Sequence, residues 1–204
     1  MRGSNGCNTY HGSAVPAFEK GFAHLAKYQL SFDLQCAPAQ LIQAAELCER
    51  HPNVPVVIDH LGKPRTLLGP DLNDDGTLNN NTAPDEEALQ VWREGMKAMA
   101  AVPHVYVKIS MLGYAVPGWS KTPEQSALLG KLVRETIDLF TPQRCMVALN
   151  WWKNGAVSDL DFLSDVGPSP VEFIEYMASF LGGYYTQEEQ DRLFYGTAKE
   201  FYRL

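Results

Sequence analysis

The feature that most constrains the fold is the stretch from Val54 to Arg65, which reads VPVVIDHLGKPR. It begins as an apolar, β-branched run, which is typical of a strand buried on both faces of a parallel sheet. It then changes abruptly to an aspartate, a histidine, a glycine and two cations. Because parallel α/β folds bind ligands beyond the carboxyl ends of their strands, this stretch predicts a functional site. A core strand followed by a solvated turn is the alternative interpretation.

Helical and strand patterns alternate along the rest of the chain. Helices are expected over residues 14–28, 38–51, 85–101, 122–140, 170–181 and 186–204. Strands are expected over residues 30–36, 54–60, 104–111 and 144–150. This alternation indicates βα units, so the predicted fold class is α/β with four adjacent parallel strands in chain order.

The chain is expected to form one main domain. Its 204 residues are 45% hydrophobic and 20% charged, which is enough for a single core. Residues 1–13 are polar and glycine-rich, and we expect an irregular leader there. Residues 14–204 then form the domain, with a polar insertion loop at residues 66–84.

Composition argues against several classes of function. No apolar run reaches the roughly 18 residues that a membrane span needs. The formal net charge of -7 disfavours binding to nucleic acid or to an anionic membrane. The cysteines are widely spaced and contain no CxxC pair, which excludes a zinc knuckle; they are Cys7, Cys36, Cys48 and Cys145. Reduced, buried cysteines are expected, and they favour a cytoplasmic location.

Several stretches, in this order along the chain, carry a resemblance to one family. They read FEKGFAHLAKYQLSFDLQ at Phe18–Gln35, VIDHLGKP at Val57–Pro64, VYVKIS at Val105–Ser110, RCMVALNW at Arg144–Trp151 and GTAKEFY at Gly196–Tyr202. Together they resemble the amidohydrolase-related hydrolases, in the branch that contains the sugar lactonases. The resemblance implies a (β/α)8 TIM-barrel type of fold and a lactone or similar small carbonyl substrate. It leaves open whether the protein holds one divalent metal, zinc or manganese, or none.

The sequence departs from the family pattern in two places. The last strand of the family usually ends in Ser-Asp-Trp-Pro, whereas this chain has Leu149-Asn150-Trp151-Trp152. Asn150 stands where the carboxylate that activates water is expected, and an amide is not a general base. The His-x-His motif of the family's first strand is absent from the sequence. We therefore expect a partial barrel, the second half of the fold, as a carboxyl-terminal or truncated member of the family.

The candidate site residues follow the predicted strands. His60 is the first candidate, as a catalytic residue or a metal ligand, because it could polarise a carbonyl, bind a metal or hold a carboxylate. A core histidine is the alternative. The resemblance gives Asn150 the second catalytic position. Contacts with the substrate are expected from Gln35, Lys63, Arg65, Ser110 and Trp151.

The predicted function is hydrolysis of a lactone or similar small carbonyl compound, with feeble turnover expected of this chain. The alternative is a catalytically dead half-barrel that acts as an assembly or interaction module. Four open parallel strands expose two sheet edges, which favours a homo-oligomer. The expected partners are thus a small-molecule substrate and, under the alternative, further copies of the chain.

Overall fold

The computed structural model describes residues 16–65, 68, 71–72, 78–79, 84–149 and 168–204. Its helices are α1 Pro16–Lys27, α2 Leu41–Arg50, α3 Glu86–Ala100, α4 Pro123–Phe140, α5 Pro170–Leu181, α6 Gln187–Asp191 and α7 Thr197–Tyr202. Its strands are β1 Phe32–Leu34, β2 Val56–Ile58, β3 Asp71–Leu72, β4 Leu78–Asn79, β5 Val105–Ile109 and β6 Cys145–Val147. The leader expected at residues 1–13 lies outside the described residues.

A parallel sheet of four strands in the order β1-β2-β5-β6 forms the centre of the molecule. Leu34 lies opposite Ile58, Ile58 opposite Val107, and Val107 opposite Cys145. The α/β class and the order of the four predicted strands are therefore confirmed. The observed strands are shorter than predicted: β1 covers only Phe32–Leu34 of the predicted 30–36, and β2 covers only Val56–Ile58 of the predicted 54–60.

The two faces of this sheet are covered differently. Side chains alternate between the faces, and Val56, Ile58 and Val107 are buried within the large core that also contains α2, α3 and α4. On the opposite face, Val57 and Met146 form a smaller cluster with Phe201 of α7. The sheet thus lies between a layer of long helices and the short helix α7.

The predicted insertion loop at residues 66–84 contains a small antiparallel pair that the sequence did not indicate. Asp71 pairs with Asn79 and Leu72 with Leu78, outside the parallel sheet. Two-residue strands are too short for an alternating hydrophobic pattern to be recognised.

The last helical region begins as predicted and then differs. Ser169 and Glu172 form a capping box in front of α5, with Pro170 in the first helical position. The single helix predicted over residues 186–204 is instead interrupted by a π-helical turn at Arg192–Gly196. No helix in the described ranges has the length and apolar character of a membrane span.

Candidate functional site

The turn that follows β2 places His60 at the carboxyl edge of the sheet. His60, Leu61, Gly62 and Lys63 all have positive φ angles, between 55° and 69°. This region costs a residue with a side chain roughly 1 kcal/mol or more. Two contacts offset that cost: Leu61 is 1% exposed, and the indole Nε1 of Trp92 donates a hydrogen bond of 2.8 Å to its carbonyl oxygen. The turn is therefore fixed from within the core.

Gly62 is required in this turn by its surroundings as well as by its backbone. Its φ angle is +69°, and a Cβ atom added there would lie 2.7 Å from the sulfur of Met96. Trp92 Nε1 would be 3.3 Å from the same atom. The close approach of α3 to the turn thus depends on a glycine at this position.

His60 and Ser110 are in direct contact at the ends of neighbouring strands. The Nδ1 atom of His60 lies 2.8 Å from Oγ of Ser110, which follows β5 and is 1% exposed. Burial, together with the charges of Lys108 and Lys63, lowers the pKa of His60 from 6.5 to about 4. The ring is therefore neutral at pH 7, and Nε2 is the nitrogen left for a carbonyl oxygen or a metal ion.

Tyr114 connects His60 with the two predicted substrate-binding cations. Its ring centre lies 5.6 Å from that of His60, in an edge-on arrangement. Lys63 Nζ and the guanidinium carbon of Arg65 lie 5.6 Å and 5.2 Å from the same ring, within the distance of a cation–π contact. Tyr114 was not predicted as a site residue, because the only indication in the sequence is its position a few residues after a predicted strand.

Lys63 and Arg65 also line a cleft of about 430 Å³. Its other described walls come from the segment after β1 and from the start of α3, namely Ala37, Pro38, Ala39, Asp85, Glu87, Ala88 and Val91. This volume lies within the roughly 300–1,000 Å³ that small ligands occupy. His60 and Ser110 are not among its described lining residues, so the predicted site consists of two neighbouring groups that meet at Tyr114.

A charged cluster lies on the α7 side of the same sheet. Lys108 Nζ is 2.5 Å from Asp33 and 2.9 Å from Asp59, and the hydroxyl of Tyr202 donates a 3.0 Å hydrogen bond to Asp33. Burial raises the pKa of Asp59, and Lys108 partly offsets this effect. Burial would lower the pKa of Lys108, but its hydrogen bonds to Asp33, Tyr202 and Asp59 raise it. Asp59 therefore pairs with Lys108 rather than with His60.

The remaining predicted site residues stand as follows. Gln35 is half-buried just beyond β1, and no hydrogen bond joins it to the His60–Ser110 pair within the described ranges. Asn150 and Trp151 lie outside the described residues, so their assignments stay predictions. The described residues contain no cluster of three His, Cys, Asp or Glu side chains suited to a metal. They do not make a zinc or manganese site by themselves, and a metal at His60 stays a prediction.

Two curated proteins are similar to this chain over most of its length. An L-fucono-1,5-lactonase of Burkholderia multivorans is 29% identical over 136 residues, which covers 66% of this chain and 41% of that protein. The uncharacterized protein y4mH of Sinorhizobium fredii is 28% identical over 192 residues, or 94% of this chain and 53% of that protein. The chain therefore spans about half the length of the curated relatives it matches.

Solved structures agree on the fold. The crystal structure of an amidohydrolase from Burkholderia multivorans with bound zinc has a TM-score of 0.71 and 24% identity. The match covers 94% of this chain and 58% of that one, and it identifies the four parallel strands as part of a TIM-barrel type of α/β fold. The family model described as amidohydrolase matches residues 6–204, so the chain belongs to the amidohydrolase family.

Proposed function

We propose that the protein hydrolyses a lactone, and that sugar lactones of the L-fucono-1,5-lactone type are its substrates. The observation that carries this proposal is the neutral His60, held by Ser110 at the carboxyl edge of the sheet. The names of two relatives support the class of substrate. The cations Lys63 and Arg65, beside Tyr114, would bind the oxygen-rich sugar.

The contact between His60 and Ser110 suggests one role for His60. When the Ser110 hydroxyl donates to Nδ1, the ring carries its proton on Nε2 and donates from there to the lactone carbonyl oxygen. Water adds to the carbonyl carbon, the ring C–O bond breaks, and the proton of the water ends on the released alcohol. A donor aimed at the developing oxyanion typically accelerates acyl transfer by about 10²–10³-fold.

An assay of the 204-residue chain with L-fucono-1,5-lactone tests this proposal. Ring opening is monitored through the proton that the product acid releases. We expect slow turnover that falls about 100-fold in the His60→Asn variant, since the Nε2 donor is lost. The matched control is His24→Asn, at an exposed position of α1. Equal rates for the parent and for His60→Asn would refute the role of His60.

A second candidate function is that of a non-catalytic half-barrel that assembles with further copies. The observation that favours it is the four-stranded sheet β1-β2-β5-β6, in which β1 and β6 each pair on one side only within the described residues. Sedimentation equilibrium would show a stable oligomer in this case, and lactone hydrolysis would not exceed the uncatalysed rate. For both candidates we propose a cytoplasmic location, because the described cysteines are unpaired and buried.

A further inference from the structure

A second cleft, between α4 and α5, differs in charge from the molecule as a whole. Its volume is about 670 Å³, and it is lined by Lys121, Lys131 and Arg134. No aspartate or glutamate is among the described residues that line it. The chain has 24 acidic and 17 basic residues, so this lining is opposite in sign to the net charge.

Two of the three acidic side chains of α4, Glu135 and Asp138, are engaged elsewhere, and the third, Glu124, is not among the described residues that line the cleft. Glu135 pairs with Arg93 at 2.6 Å, and Asp138 accepts a 2.7 Å hydrogen bond from the Tyr185 hydroxyl. Within the part of the chain that the structure describes, neither Lys121 nor Lys131 has an ion pair or a side-chain hydrogen bond. Their charges therefore remain available to a ligand.

Arg134 is held in place at the edge of this cleft. Its Nη1 donates a 3.0 Å hydrogen bond to the carbonyl oxygen of Phe180. Its guanidinium carbon lies 4.2 Å from the centre of the Tyr184 ring, and Tyr184 as a residue is 66% exposed. Hydroxyl groups complete the lining, from Ser120, Thr122, Ser126, Ser179 and Tyr176. Those of Thr122, Tyr176 and Ser179 already donate hydrogen bonds within the protein, so Ser120 and Ser126 are the hydroxyl donors left for a ligand among the described lining residues. The cleft thus offers fixed positive charge, hydroxyl groups and an exposed aromatic face.

We propose that this cleft binds a small organic phosphate, in particular a phosphate monoester of an aromatic group. A phosphate dianion balances the charge of the two lysines, and the planar guanidinium suits its oxygens. The aromatic group would pack against the Tyr184 ring. The cleft contains none of the residues assigned to lactone hydrolysis, so the proposal is independent of that activity.

Titration of the ¹⁵N-labelled chain with phenyl phosphate, followed by NMR, tests the site directly. We expect saturable shifts confined to amides of α4, α5 and the segments beside them. The double variant Lys121→Gln/Lys131→Gln should raise the dissociation constant at least about tenfold, since two charge-assisted contacts are lost. The control Lys20→Gln/Lys97→Gln removes the same charge from exposed positions on α1 and α3, and it should leave the constant unchanged.

Two results would overturn the proposal: no saturable shift, or equal weakening by both double variants. Inorganic phosphate serves as the second probe, and we expect it to bind more weakly than phenyl phosphate. Equal affinity for the two probes would refute the aromatic part of the assignment. Unchanged unfolding midpoints would show that every variant retains the fold.

Discussion

His60 shows how one buried side chain ties the candidate site to the stability of the chain. Its pKa lies near 4 in the folded protein, below its ordinary value of 6.5, because burial disfavours the charged ring. In the unfolded chain the same ring takes up a proton at higher pH. The neutral His60 therefore contributes stability that is present above pH 6.5 and is lost as the pH falls towards 4.

The predicted consequence is a measurable pH dependence of unfolding. Between pH 7 and pH 5, His60 should account for a loss of about 2 kcal/mol in the free energy of unfolding. Urea unfolding of each variant at pH 7 and pH 5 measures this pH dependence. In His60→Asn, the decrease in the free energy of unfolding between the two pH values should be about 2 kcal/mol smaller than in the parent. In His24→Asn it should equal that of the parent. The same loss in the parent and in His60→Asn would contradict the pKa given for the folded state.

At this scale the sequence predicted some of the site and missed the rest. His60 was recognisable because it ends a β-branched run, where polar residues are unexpected unless they have a function. The contacts of Tyr114 with His60 and Lys63 were not recognisable from the sequence, because they depend on how two turns fold towards each other. Lys108 was recognisable as a charged residue within the alternating strand Val105–Ile109, but its carboxylate partners were not, because Asp33 lies in β1 and Asp59 lies just beyond β2.

Among the elements, the Lys108 cluster joins β5 to β1, to the end of β2 and to α7. The lysine lies between two carboxylates, one of them on the largely buried Asp59. Removing it would leave these carboxylates facing each other without a cation. Because the cluster is partly exposed to solvent, the cost is smaller than for a fully buried pair.

We therefore expect Lys108→Met to lower the free energy of unfolding by about 2 kcal/mol. Lys97→Met, at an exposed position of α3, is the matched control and should change it by less than about 0.5 kcal/mol. Combining Lys108→Met with Asp59→Asn should recover part of the loss, since the two residues are coupled. Urea unfolding at pH 7 measures the free energy of unfolding of the two single lysine variants and of the double variant. If Lys108→Met lowered it no more than Lys97→Met does, the cluster would add no stability.

The order of the elements was predictable and their ends were not. Alternating helical and strand patterns were enough to give four parallel strands in chain order. The left-handed turn after β2 was not predictable from the sequence. Three of its four residues have side chains, and residues with side chains rarely adopt positive φ angles. The π-helical turn at Arg192–Gly196 likewise leaves no recognised pattern in the sequence.

For the whole molecule, the central fact is that the chain spans about half the length of its curated relatives. A barrel site draws residues from the ends of several strands, so a change in one strand is not expected to restore it. The family resemblance predicts that Asn150 takes the position of the general base, and the sequence has no His-x-His motif.

We therefore expect Asn150→Asp to leave lactone turnover within about twofold of the parent, although a general base alone typically contributes about 10²–10⁴-fold. The assay is ring opening of L-fucono-1,5-lactone, with and without added zinc or manganese. Asn53→Asp, at an exposed turn, controls for the added charge. A gain of tenfold or more in Asn150→Asp alone would show that the chain already contains the rest of the site.

The contacts of α7 also set an order of events during synthesis on the ribosome. Tyr202 reaches Asp33 across 169 positions of the chain, and Arg203 reaches the carbonyl oxygen of Gln29 across 174. Translation proceeds at about 5–20 residues per second, so β1 is made roughly ten seconds or more before its cover. Until α7 is made, Val57 and the neighbouring apolar face of the nascent sheet are open to chaperones.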